Sequence, residues 1–120
     1  MVRHALLAIA LTAAAAAPAW ADAEADRREA RALLREGNRL LQDAHDPAGA
    51  LSLFVAAYAK FPSDKILLSI GSAEKELGRA GPAANAYARF LASPDATGDL
   101  AKQARASLAS RRRAAPRRAA

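Results

Sequence analysis

A chain of 120 residues with 52% hydrophobic and 25% charged residues is long enough for one small domain and no more. It contains no cysteine, which excludes a disulfide scaffold, thiol catalysis, a thiolate metal site and a lipid-anchored cysteine. The net charge of +6 suggests a polyanion binder until it is located: residues 22 to 110 hold 12 basic and 12 acidic residues, and the surplus is Arg3 plus five arginines among the last ten residues.

The N-terminus has the layout of a secretory signal peptide. Arg3 and His4 precede the apolar run ALLAIALTAAAAA, and Ala19-Trp20-Ala21 then supplies the small-x-small pattern of a cleavage site, with cleavage expected after Ala21. The run is short and alanine-rich beside the roughly 20 strongly apolar residues of a membrane span. Residues 1–21 are therefore expected to be removed on export to the periplasm; the alternative is an uncleaved inner-membrane anchor.

Five helices are expected in the remainder. Leu33, Leu34, Leu40 and Leu41 fall at helical spacing between about Ala25 and Gln42. Asp46-Pro47 is an N-cap and first-turn pair for a second helix, with Ala50, Leu51, Phe54, Ala57 and Tyr58 on its apolar face and Phe61-Pro62 as its stop. Ser63 or Asp64 caps a third helix bearing Leu67, Leu68, Ile70, Ala73 and Leu77. Gly78 with Gly81-Pro82 is expected to turn the chain into a fourth, which presents Ala83, Tyr87, Phe90 and Leu91. Leu100, Ala104 and Leu108 line a fifth helix from Asp99 to about Arg112. Beyond it, the alanine, proline and arginine of residues 111–120 have nothing apolar to bury and read as a basic disordered tail.

The two halves repeat each other. Leu33, Leu34 and Gly37 recur as Leu67, Leu68 and Gly71, each 34 residues later, while Ala50, Phe54 and Ala57 recur as Ala83, Tyr87 and Phe90, each 33 later. Helix, turn, helix at a period of 34 is tetratricopeptide repeat spacing, and at these residues the sequence resembles that family. The family's small residues fall on Gly37 and Gly71 in the first helix of each pair and on Ala50 and Ala83 in the second. Its aromatic falls on Phe54 and Tyr87, and Pro62 sits where a repeat commonly ends. The stretch ILLSIGSAEKELGRAGPAANAYARFL is similar to the last repeat of short exported proteins from high-GC Gram-negative bacteria. The resemblance covers residues from about 30 to 95. It implies an all-α fold of two antiparallel helical hairpins, about 30–62 and 64–95, plus a closing C-terminal helix: a fragment of an α-solenoid. In such a fold Gly37 and Gly71 lie where paired helices cross, and a side chain larger than a methyl would hold the backbones apart. Two departures from the family pattern stand out. Glu74 replaces a large apolar residue, matching Leu40, so the second pair is expected to pack less tightly. The turn in QDAHDPAGAL is one residue longer than the family's usual form, which moves the period from 34 to 33.

Reactive groups do not converge. His45 is the only histidine after the signal, and Asp43, His45 and Asp46 lie in a polar turn with no second histidine to complete a metal site. Glu74 and Glu76 point to different faces of one helix. There is no glycine-rich phosphate loop after a strand, and serines have no base. The expected function is non-catalytic and without a cofactor.

Binding is the expected activity instead. The resemblance implies a concave face lined by the first helix of each repeat, where Leu34, Asn38, Gln42, Lys65, Leu68, Ser72 and Lys75 would meet a partner protein or peptide. Asn38 matches an asparagine with which some members of the family hold a C-terminal carboxylate, but the lysine four residues earlier is Leu34 here. An ordinary half-exposed surface is the simpler reading of each position. With only two repeats, the fold is expected to lean on the closing helix, on self-association or on the partner. Arg111, Arg112, Arg113, Arg117 and Arg118 offer an alternative function, a tether to anionic lipid or polymer; nucleic acid is not expected, since no aromatic is interleaved to stack on bases.

Overall fold

The structure, a computed structural model, describes the backbone of residues 18–114 and the side chains through Ser110. Residues 1–17, with most of the expected signal, lie outside the described residues. Five helices follow in order: α1 Ala19–Gln42, α2 Pro47–Lys60, α3 Asp64–Glu76, α4 Ala80–Leu91 and α5 Gly98–Ala114. Among the described residues there is no strand.

Each boundary has a local cause. Helix α1 starts directly after Pro18, six residues earlier than expected, because the alanine-rich stretch before Ala25 continues the helix without a breaker. The expected cleavage bond after Ala21 falls in its first turn. At 24 residues it is about 36 Å long against about 21 Å for α2, so its N-terminal end extends beyond α2. The first buried residue of α1 is Ala30, one position past Glu29, which pairs at 3.2 Å with Lys60 in the last turn of α2. The Asp46 side chain caps α2 by accepting a hydrogen bond from the Gly49 N–H at 2.9 Å. Phe61, extended before Pro62, ends it. Ser63 holds the N-cap position of α3 but its side chain makes no capping bond.

The turn from α3 to α4 is tighter than the sequence suggested. Gly78 sits at φ +74°, its N–H bonds to the Lys75 carbonyl, and the Arg79 N–H reaches back to the Glu74 carbonyl, closing a Schellman motif. Gly78 makes the reversal alone. Gly81 and Pro82 lie inside the first turn of α4, where the backbone N–H groups have no intrahelical partner and proline is tolerated.

Each helix packs against the next, and α1 also touches α3. The chain thus forms two antiparallel helical hairpins of the same build, stacked and closed by α5, an α-solenoid-like arrangement. Phe54 and Phe90 are the largest fully buried side chains. Phe54 joins Leu41, Ala50 and Ala73, which couples the first hairpin to α3. Phe90 joins Leu67, Leu68, Ala83, Tyr87 and Ala104, the last supplied by α5. Ala30, Ala57 and Ile66 form a third cluster between α1, α2 and α3.

The glycine crossing differs from the expectation in kind. A Cβ on Gly37 would lie 2.5 Å from the Phe54 ring, and one on Gly71 would lie 2.9 Å from the Tyr87 ring. The obstacle is an aromatic face rather than the partner backbone, and even a methyl group is too large. Both hairpins use the same device: a glycine in the first helix forms the floor under the ring of the second.

Candidate functional site

An open groove of about 550 Å³ lies along α1 and α3. Arg27, Ala30, Arg31, Leu34 and Asn38 line it from α1, Lys65, Ile66 and Ser69 from α3, and Phe61 and Ser63 from the connection between α2 and α3. The arrangement follows from helical spacing. Residues 27, 31, 34 and 38 are separated by four, three and four positions, which places them in one row, and 65 and 69 face them from α3.

Three of the expected groove residues, Leu34, Asn38 and Lys65, meet there. The other four do not. Leu68 is 8% exposed and packs with Tyr87, Phe90 and Ala104, so it is a core residue. Its counterpart Leu34 stays half-buried because α1 is the first of the described helices, whereas α5 brings Ala104 into the cluster around Leu68. The Ser72 hydroxyl lies 3.4 Å from the Tyr87 hydroxyl inside the second hairpin. Gln42 and Lys75 are exposed in the last turns of α1 and α3 and do not line the groove.

The floor of the groove is apolar, from Ala30, Leu34 and Ile66, while Asn38, Ser63 and Ser69 supply hydrogen-bonding groups. Its charges are Arg27, Arg31 and Lys65, with no carboxylate in the lining. Arg27 is engaged on both sides: it pairs with Glu24 at 3.4 Å and its guanidinium lies 4.8 Å from the centre of the Phe61 ring. Among the described residues no ion pair holds Arg31 or Lys65. On the outer face of α1, Arg39 donates to both Glu36 oxygens, at 2.6 and 3.0 Å, and this hydrogen bonding holds the Glu36 carboxyl below its ordinary value.

Arg27, Arg31, Ser69 and the Phe61–Ser63 edge were not anticipated. The signal for the arginines was present: carrying the row of Leu34 and Asn38 back by one and two turns reaches Arg31 and Arg27. The Phe61 edge had no signal of its own, because its place depends on how α3 seats against α1.

Asp43, His45 and Asp46 are exposed between α1 and α2, and the Asp46 carboxylate is occupied as a cap. Among the described residues no three histidine, cysteine or acidic side chains gather into a group able to hold a metal. No described helix is long and apolar enough to cross a membrane. Arg117 and Arg118 lie outside the described residues, as do the side chains of Arg111, Arg112 and Arg113. The sequence matches no protein-family model, and neither a curated protein nor a solved structure matches it.

Proposed function

We infer that this chain is a non-catalytic interaction module of tetratricopeptide type, exported to the periplasm, which receives a segment of a partner protein in the groove along α1 and α3. The observation that carries this reading is the groove itself, a concavity with an apolar floor and a rim of amide, hydroxyl and cationic groups. Peptide-binding sites share this construction: apolar area supplies contact, and a few polar groups fix the orientation of the occupant. The repeated glycine under an aromatic ring, Gly37 beneath Phe54 and Gly71 beneath Tyr87, supports the repeat character on which the family resemblance rests. The groove is small, so affinity is expected to be modest.

Photo-crosslinking in cells tests this. A crosslinking side chain at Asn38 or Lys65 should yield a discrete adduct with one protein, and the same group at Lys102 on the exposed face of α5 should not. Equal labelling from all three positions, or none from the groove, would remove the adaptor reading. Fractionation of the same cells checks export, since a periplasmic protein leaves with osmotic shock and an anchored one stays with the membrane.

A further inference from the structure

We propose that the groove takes an acidic peptide segment in extended conformation, with its carboxylates held by Arg31 and Lys65; this rests on the peptide-binding reading above. The observation is a local imbalance of charge. Basic and acidic residues cancel over residues 22 to 110, yet the groove lining carries three cations and no carboxylate. Arg27 is turned to Glu24 and Phe61, while Arg31 and Lys65 are free of ion pairs among the described residues. Cations that line a concavity act together, because its low-dielectric walls focus their field into the space between them. A neutral or basic segment would leave Arg31 and Lys65 partly dehydrated without a counter-charge, whereas a carboxylate restores one with charge-assisted hydrogen bonds.

The spacing of the row suits an extended segment. Its same-face residues advance about 6.7 Å at a time, close to the ~6 Å between Arg27 and Arg31, so successive same-face side chains fall on successive turns of α1. An acidic residue level with Arg31 would then put the next same-face residue near Leu34, where an apolar side chain is favoured. The recognition pattern is therefore an acidic residue followed or preceded, two positions away, by an apolar one. Asn38, Ser63 and Ser69 supply hydrogen-bonding groups for its backbone. A lipid headgroup matches the charge but makes no use of this row.

The test is fluorescence polarisation with a labelled, end-blocked peptide, Ala-Glu-Ala-Leu-Ala-Glu-Ala, against the full chain. Because the arginine tail would also attract an acidic probe, the reference protein has Arg111, Arg112, Arg113, Arg117 and Arg118 changed to Gln. Binding should survive that change, weaken as salt rises, and fall about fivefold or more in Arg31→Ala with Lys65→Ala, the size expected of two part-exposed ion pairs. Lys102→Ala should leave it unchanged, and the same peptide with Gln for Glu should bind no better than the double variant binds the acidic one. Circular dichroism checks that the exposed substitutions leave the helices intact. Binding lost with the tail arginines but not with Arg31 and Lys65 overturns the proposal, as does association with phosphatidylglycerol vesicles that the peptide fails to compete. A peptide display selection separates this inference from its foundation: enrichment of neutral peptides that require Asn38 and Leu34 removes the acidic assignment and leaves the groove reading standing, while no enriched peptide of any composition removes both.

Discussion

Replacing Gly37 with alanine places a methyl group where the structure has no room for one. The new Cβ would lie 2.5, 2.8 and 3.2 Å from three atoms of the Phe54 ring, against the 3.5 to 4.0 Å at which carbon atoms rest. The ring must retreat by about 1 Å. It has nowhere to go, since Phe54 is fully buried between Leu41, Ala50 and Ala73, and interiors are packed at crystal density. Overpacking of this kind costs about 1–3 kcal/mol, and the better helix propensity of alanine returns about 1. The net expectation is a loss of up to about 2 kcal/mol, which for a domain of this size lowers the melting temperature by up to roughly 15 °C. Gly81→Ala is the matched control. It has the same change of residue type, also within a helix, but nothing lies within 4 Å of the added carbon, so it should hold or raise the melting temperature. Thermal unfolding followed by far-ultraviolet circular dichroism reads both. If Gly37→Ala stabilises the protein as much as Gly81→Ala does, the glycine-under-ring device is not what seats the first hairpin.

Gly78→Ala should cost about 1 kcal/mol in chemical denaturation although nothing crowds the position, because its φ of +74° is left-handed and disfavours any Cβ; an unchanged midpoint would contradict this. Glu74→Leu should raise the melting temperature by roughly 5–10 °C. One Glu74 carboxylate oxygen is buried without a hydrogen bond, 3.6 Å from the nearest Arg79 nitrogen, and an unsatisfied buried polar atom costs about 1–3 kcal/mol. A lowered melting temperature would mean that the longer-range attraction to Arg79 outweighs that burial. Deleting residues 98–120 should abolish a sharp thermal transition, since α5 covers Tyr87 and Phe90 and each large side chain returned to water loses about 1.5–3 kcal/mol. A cooperative transition in the truncated chain would show that two hairpins suffice.

The helices were legible because their signals are local. The cap at Asp46, the proline at 47, the stop at Phe61-Pro62 and the left-handed Gly78 each act within a few residues, and each lies where the sequence marks it. The limits of α1 were less legible, because an alanine-rich approach with no breaker gives no starting signal of its own. The period of 34 and 33 residues paired Phe54 with Tyr87 correctly but could not say what the glycines face. Spacing records which positions are equivalent; it does not record whether a glycine meets a backbone or a ring. Glu74 shows the same limit. Its mismatch with Leu40 marked an unusual position, but spacing could not say that Glu74 would be buried while Leu40 stays half-buried.

The groove was half legible for a related reason. Register arguments assume that equivalent positions have equivalent surroundings, which holds in the middle of a long array and fails at its ends. In a chain of two hairpins every position is near an end. Leu34 and Leu68 are equivalent in sequence, but among the described residues α1 has neighbours on one side only, while α3 lies between the first hairpin and the α4–α5 pair. The same leucine is therefore groove in one repeat and core in the next, and Lys75, at the register of the buried Leu41, is exposed. The same incomplete enclosure leaves Arg27 and Arg31 exposed on α1 beside Lys65 of α3. The charge of the groove is thus the complement of the acidic segment proposed to dock there, and it lies at the end of the stack where register arguments fail.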